Sequence, residues 1–219
     1  MTPGAGPAGR APLAGVGVLL APGAGAGSDQ PGLVALASGL GALGARVARM
    51  DFPYRLAGRR APDRLEVLVS AVAAGAVAAG RDCDRLVIGG RSMGGRVCSV
   101  AAAEAVELGA APLCALVLVS YPLHPPGRPD RRRDAHFPHL RVPCLFVSGT
   151  RDAFATPAEL EAATTVIPAA VSHHRIDGGD HGLRNRDHEV AVAVGAWLSS
   201  TLPPRRSPGP ASLGHVPGR

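Results

Sequence analysis

Apolar residues in this chain gather into short unbroken runs, with helix-length stretches between them. Residues 15–20, 45–50, 84–89, 115–120, 143–148 and 172–176 read as strands. Most of these runs are continuous rather than alternating, as expected for strands buried on both faces of a parallel sheet. Helices fill the gaps. The first starts after Asp29 with Pro31 in its first turn, and the second opens at Pro62 and stops at Gly80, its alanines allowing close approach to a sheet. A third follows Ser92 and runs to about Leu108. A fourth begins at the capping box Thr156-Pro157-Ala158-Glu159, and the last spans residues 188–199. Strands alternating with helices require crossover connections, so the expected fold is α/β. It is a doubly wound, mainly parallel sheet of about six strands with helices on both faces.

Composition narrows the chemistry. In 219 residues there are 29 Gly, 21 Pro and only 7 aromatic residues, and all 23 basic residues are arginine. Without lysine the chain has neither a Walker-A phosphate ligand nor a Schiff-base former. One domain is expected over residues 13–202, flanked by Pro/Gly-rich segments 1–12 and 203–219 that read as disordered. Half of the net charge of +6 lies in the second flank, on Arg205, Arg206 and Arg219. No basic stripe is interleaved with aromatics, so the chain is not read as binding nucleic acid.

Cys83, Cys98, Cys114 and Cys144 show no metal-like or redox spacing and fit a reducing cytoplasm. The apolar stretch 13–21 followed by Ala24-Gly25-Ala26 has the outline of a signal peptide. Its charged region is Arg10 alone, however, and cleavage would remove a strand. The longest apolar run, residues 65–79, is too short to span a membrane.

The most informative segment is LVIGGRSMGGR, residues 86–96. Gly90-Arg91-Ser92-Met93-Gly94 fits G-x-S-x-G, preceded by a strand and followed by a helix. In that context the serine occupies a strained turn, and the glycines two before and two after it let the backbone pass. A glycine-rich turn with an idle serine is the plainer alternative. A nucleophile needs a base, and the base needs an orienting acid. Asp152 stands just past a strand, before the capped helix, and His181 stands in Gly178-Gly179-Asp180-His181-Gly182. The order Ser, Asp, His, with all three beyond strand carboxyl ends, points to acyl transfer. Asp177 and Asp180 are alternative acids, and His173, His174 and His188 are alternative bases that read as structural or solvated.

Acyl transfer also needs donors for the developing oxyanion. The amide of Met93, next after the serine, is one, and the loop APGAGAG after the first strand should supply another. That loop has a rival reading. Gly23-x-Gly25-x-Gly27, with Asp51 ending the next strand, mimics a dinucleotide fingerprint, but Ser28 stands where G-x-G-x-x-G requires glycine. His136-x-x-His139 has half of a zinc spacing and nothing to complete it, so no metal and no cofactor is expected.

GRSMGGR, SYPLHPPGRPDRRRDAHFPHL, VPCLFVSGTRD and DGGDH resemble the small α/β-hydrolases related to testis-expressed protein 30 and NSL complex subunit 3, distant relatives of dienelactone hydrolases. The resemblance covers residues 16–198, and YPLHPPG is its most specific part. It implies a hydrolase core without a cap domain, with Ser92, Asp152 and His181 on the triad positions and Ala24 and Met93 on the oxyanion positions. The family usually reads HGAGG at the first loop. Here Pro22 stands in the histidine's place and offers no backbone donor. No strand is read before Val16, so the antiparallel edge strands of larger hydrolases are expected to be missing. The segment 121–139 reads as a flap, with Tyr121 and His124 as substrate-loop candidates, and its arginines could favour anionic acyl groups. The expected function is a serine hydrolase acting on a small ester or related acyl substrate. A non-catalytic interaction module that binds a protein partner is the alternative, and nucleotide binding is a weaker one.

Overall fold

Six strands form one sheet in which every neighbouring pair is parallel. The structure, a computed structural model, describes residues 11–203, so the charges of Arg205, Arg206 and Arg219 and nearly all of the flanks 1–12 and 203–219 lie outside the described residues. The strands are β1 (Val16–Ala21), β2 (Arg46–Arg49), β3 (Arg85–Arg91), β4 (Leu113–Val119), β5 (Cys144–Gly149) and β6 (Val171–Ile176), in the order β2-β1-β3-β4-β5-β6. No described strand precedes β1. The helices are α1 (Pro31–Ala42), α2 (Pro53–Leu56), α3 (Leu65–Gly80), α4 (Met93–Ala103), α5 (Pro157–Thr164) and α6 (Asp187–Thr201). Between β4 and β5 there is only a single 3₁₀ turn, Phe137–His139, and no cap domain.

The continuous apolar runs are explained by two cores, one on each face of the sheet. From β1, Val16, Val18 and Leu20 pack with Leu33, Leu36 and Leu40 of α1 and with Val190, Val194 and Leu198 of α6. Leu19 and Ala21 point the other way, toward α3 and α4, into the core that α5 also closes farther along the sheet. Every residue of β1 and β5 is buried, whereas the edge strands β2 and β6 are half exposed. Each fully buried Leu or Val contributes roughly 1.5–3 kcal/mol against leaving it in water, so strands buried on both faces are built almost wholly of apolar residues, Ser148 near the end of β5 being an exception.

Two helix boundaries lie three or more residues from the sequence expectation, and one short helix is unforeseen. Helix α3 starts at Leu65 rather than Pro62. Helix α4 ends at Ala103 instead of near Leu108. There Ala105 takes a left-handed conformation (φ 51°), and the Val106 N–H reaches back to the Ala101 carbonyl at 3.4 Å. This is a Schellman-type stop made without glycine, so an alanine-rich run conceals it. Helix α2 is four residues long, too short for any period to show.

The chain leaves β1 toward β2 on one side and returns through α3 to β3 on the other. The sheet therefore opens a crevice at the carboxyl ends of β1 and β3, where open α/β sheets bind ligands. The loop after β1 and the turn after β3 face each other across it.

Candidate active site

The turn after β3 is built by exclusion. A Cβ at Gly90 would collide with the Ala21 carbonyl of β1, and one at Gly94 would collide with the carbonyls of Ala21 and Pro22. Only glycine at both positions lets the turn close against the end of β1. Ser92 sits between them at φ 50°, ψ −117°, a conformation that costs a non-glycine residue roughly 1–3 kcal/mol and survives only where its surroundings enforce it. Its N–H donates to the Val119 carbonyl (2.8 Å), and its own carbonyl accepts from the Arg96 N–H (3.0 Å).

This strained turn aims the Ser92 hydroxyl at His181, with Oγ 2.9 Å from Nε2. His181 Nδ1 in turn lies 2.9 Å from both carboxylate oxygens of Asp152, which is 3 % exposed. The loops carrying acid and base are tied to each other, since the Arg151 N–H donates to the Gly179 carbonyl (2.8 Å) and Gly149 leaves no room for a side chain against Gly179. Asp177 meets Thr150 instead, whose hydroxyl donates to it at 3.3 Å. A hydroxyl whose proton has an acceptor, on a ring held by a buried carboxylate, can perform nucleophilic chemistry.

Two residues overlooked in the sequence position the imidazole. The Phe154 ring stacks on it, with centroids 3.9 Å apart and planes 27° apart. Because the Phe154 N–H donates to Asp152 Oδ1 (2.8 Å), one turn fixes both the acid and the aromatic wall. From the strand side, Arg91 Nη2 donates to the His181 carbonyl (2.9 Å) and to that of Gly182. Burial lowers the Arg91 pKa, while Asp187, Asp180 and Asp152 oppose the shift.

The loop after β1 abuts the serine, Gly23 lying against Ser92. Pro22 has no amide proton, and its loop is braced from elsewhere. The Gly25 N–H donates to the Tyr54 hydroxyl (2.9 Å), the Gly23 N–H to Gln30 Oε1 (3.3 Å) and the Ala26 N–H to the Gly23 carbonyl (3.1 Å). Of the amides from Gly23 to Ala26, Ala24's alone has no acceptor among the described residues. The Met93 amide, in the first turn of α4, has no intrahelical acceptor either. Asp51 accepts from both the N–H and the hydroxyl of Ser28 (each 2.7 Å), so the acid of the nucleotide reading already serves the loop.

Above Ser92 lies an open cavity of about 610 Å³, bordered by Ala24 and Met93 on one side and by Arg96, Pro122, Arg133 and Phe154 on the others. The two substrate-loop candidates do not line it. Tyr121 is 1 % exposed and packs between Phe137 and Phe146, its hydroxyl donating to the Arg133 carbonyl (2.6 Å). His124 is also buried, 3.4 Å from Glu159. The chain after Ser120 turns these two inward and presents Pro122 and Arg133 instead. A groove of about 670 Å³ between α1 and α6 is larger, but no hydroxyl there bonds to a histidine.

The remaining histidines and cysteines have other surroundings. His173 bonds the Thr164 hydroxyl (3.0 Å) and stacks on Phe146, and burial lowers its pKa. His136 Nε2 lies 2.8 Å from the buried Ser99 hydroxyl, and burial, with Arg96 adding to it, pulls its pKa to about 4. Burial pushes the Cys98 and Cys144 thiols up to about 12, which removes them as nucleophiles at neutral pH. Among the described residues no group of three or more His, Cys, Asp or Glu side chains is placed to hold a metal ion, and no helix is long and apolar enough to cross a membrane.

A parallel six-stranded sheet with a serine on the turn after β3, and an acid and a histidine after β5 and β6, defines the α/β-hydrolase class. The chain belongs to the family described as alpha/beta hydrolase domain, whose model matches residues 14–196. Its fold is shared with Est1E from Butyrivibrio proteoclasticus (TM-score 0.68, 15 % identity, 86 % of this chain and 88 % of that one). It is shared likewise with dienelactone hydrolase from Anabaena variabilis (TM-score 0.63, 22 % identity, 86 % and 85 % covered). A third similar structure is the monoacylglycerol lipase of Paleococcus ferrophilus (TM-score 0.67, 16 % identity, 84 % and 94 % covered).

Proposed function

We propose that the protein is a serine hydrolase acting on an ester or related acyl substrate, with Ser92 as nucleophile, His181 as general base and acid, and Asp152 as the group that orients the imidazole. The observation that carries this reading is the unbroken chain of hydrogen bonds from Ser92 Oγ through His181 to buried Asp152, opening into a cavity. Ser92 Oγ attacks the acyl carbon while its proton passes to His181 Nε2. The resulting oxyanion is met by the Met93 and Ala24 amides. Collapse breaks the bond to the leaving alkoxide, which takes the proton from His181. Water, deprotonated by His181, then attacks the acyl-serine, releasing the carboxylic acid and returning the proton to Ser92. A donor of this kind is worth about 10²–10³ in kcat.

The partner proposed is a small acyl substrate, with no role for nucleic acid, membrane or cofactor. Four cysteines, all free, suit a cytoplasmic protein. Within the family we place the chain beside the small hydrolases related to testis-expressed protein 30 and NSL complex subunit 3, on the strength of its YPLHPPG run. The test is labelling with a fluorophosphonate, together with turnover of p-nitrophenyl esters of graded length. Wild type is expected to label and turn over, and Ser92→Ala to do neither. A folded wild type that stays unlabelled, or a Ser92→Ala variant that labels equally well, refutes the reading and leaves a non-catalytic interaction module.

A further inference from the structure

Of the three guanidinium groups that line the cavity, that of Arg91 donates to the His181 and Gly182 carbonyls and is opposed by the charges of Asp187, Asp180 and Asp152, whereas those of Arg96 and Arg133 have no counter-charge. Arg96 projects from α4 one turn beyond Ser92, Arg133 comes from the connection between β4 and β5, and no carboxylate lines the same space. Their neighbour Arg132 behaves as surface arginines commonly do, pairing through Nε with Asp134 Oδ2 at 3.1 Å. Among the described residues neither Arg96 nor Arg133 makes an ion pair. The Nε of Arg96 is buried and has no hydrogen-bond partner there.

Both backbones are nevertheless firmly held. The Arg96 N–H bonds the Ser92 carbonyl (3.0 Å), and its carbonyl accepts from the Ser99 hydroxyl (2.8 Å), which also meets His136. The Arg133 N–H donates to the Leu123 carbonyl (2.9 Å), and its carbonyl accepts from Tyr121. The core thus fixes two like charges near one another. Burial, and then the charge of Arg96, lowers the Arg133 pKa. Fixed, partly desolvated cations with free donors lose their mutual repulsion when a ligand brings an anion, and guanidinium groups match carboxylate and phosphate oxygens in shape.

We infer that Arg96 and Arg133 form an anion subsite, and that the acyl substrate carries a carboxylate or phosphate-like group within their reach. This rests on Ser92 being the nucleophile. It also gives the flap a definite task, since Arg133 is its charged contribution to the cavity, beside Pro122.

The test compares three p-nitrophenyl esters on the full chain: valerate, which is neutral; glutarate monoester, which ends in a carboxylate; and 4-phosphonobutyrate, which ends in a phosphonate. The readout is the ratio of kcat/KM for each charged ester to that for valerate within one variant, which cancels any general loss of active protein. Wild type is expected to prefer at least one charged ester by about tenfold, the preferred one distinguishing carboxylate from phosphate-type substrates. Arg96→Gln and Arg133→Gln should each cut that ratio about fivefold, and raised salt should lower it in wild type. Valerate turnover with no preference for either charged ester overturns the anion subsite and leaves the hydrolase intact. A preference that survives both substitutions also overturns it. Absence of turnover on all three esters, with no fluorophosphonate labelling, overturns both.

Discussion

Replacing Tyr54 by Phe removes one oxygen and little else. The ring is fully buried and lies 6.3 Å from that of Phe52, so the apolar packing survives the change. What is lost is the acceptor for the Gly25 N–H at 2.9 Å. A partly buried amide left without a partner costs about 1–3 kcal/mol. Because Gly25 follows Ala24 directly, freeing it loosens the Ala24 amide rather than deleting it. Deleting an oxyanion donor lowers kcat by about 10²–10³. Loosening one should lower it by about 10–30-fold, equivalent to about 1.4–2 kcal/mol. KM should stay within about twofold, since this amide strengthens its bond as charge develops rather than holding the bound ester. Steady-state turnover of a p-nitrophenyl ester gives both constants. A thermal melt run in parallel should show Tm lower by roughly 2–12 °C. If Tm falls while kcat stays within twofold of wild type, Tyr54 supports the fold without supporting Ala24, and the account of how this loop is braced despite Pro22 is wrong.

Further consequences concern the imidazole, acid stability and two glycines. Phe154→Leu keeps apolar bulk but removes the flat wall over His181, and should lower kcat about fivefold, whereas Phe154→Tyr should keep most of the activity; equal rates for the two would show that the stack does not position the ring. His136 has a folded pKa of about 4 against an ordinary 6.5, so the unfolded chain binds the extra proton first as pH falls. Stability is therefore whole above about pH 6.5 and lost on the way down to about 4, by on the order of 1–2 kcal/mol after allowing for partial exposure. Urea midpoints of wild type and His136→Gln at pH 7.5 and 4.5 should differ in their acid loss, and parallel losses would contradict the assignment. Gly94→Ala should destabilise by about 1–3 kcal/mol through its collision with Ala21 and Pro22. Gly41→Ala, in α1 with nothing within 4 Å of the added carbon, should stabilise by about 0.5–1 kcal/mol, and calorimetry reads both signs.

Much of this architecture is legible in sequence because burial on both faces makes β1, residues 86–90 of β3 and residues 144–147 of β5 apolar without interruption. The capping box at Thr156 is equally local, with the Thr156 hydroxyl and Glu159 bonding each other's backbone amides in the structure as well. The positions of Ser92, Asp152 and His181 follow from strand ends, so their meeting is legible too. Tyr54 is different. It reaches Gly25 from a four-residue helix 29 positions away, and neither its composition nor its spacing marks it. Phe154 could have been suspected from standing two residues after Asp152, but stacking depends on where β6 delivers His181. Tyr121 and His124 show the limit from the other side. They stand in a segment correctly read as a connection without a cap domain, yet the way it folds on Phe137 and Phe146 decides which side chains face inward. Arg96 and Arg133 lie 37 positions apart, and no local rule foretells that both lack an acid.

The strand order also sets when the molecule becomes functional. Strand β3 lies between β1, some seventy residues earlier, and β4, so the turn bearing Ser92 is clamped only after a long loop has closed. His181 follows β6, the last strand to be synthesised and the far edge of the sheet, 89 residues after the serine it meets. Parallel sheets with such distant pairings fold slowly, because chain entropy is lost before the contacts that offset it form. A nascent or partly refolded chain can hold β1, β3 and β4 together and still have no base beside Ser92. Recovery of Ser92 reactivity during refolding therefore reports the docking of β5 and β6, and should lag behind any optical signal from the centre of the sheet.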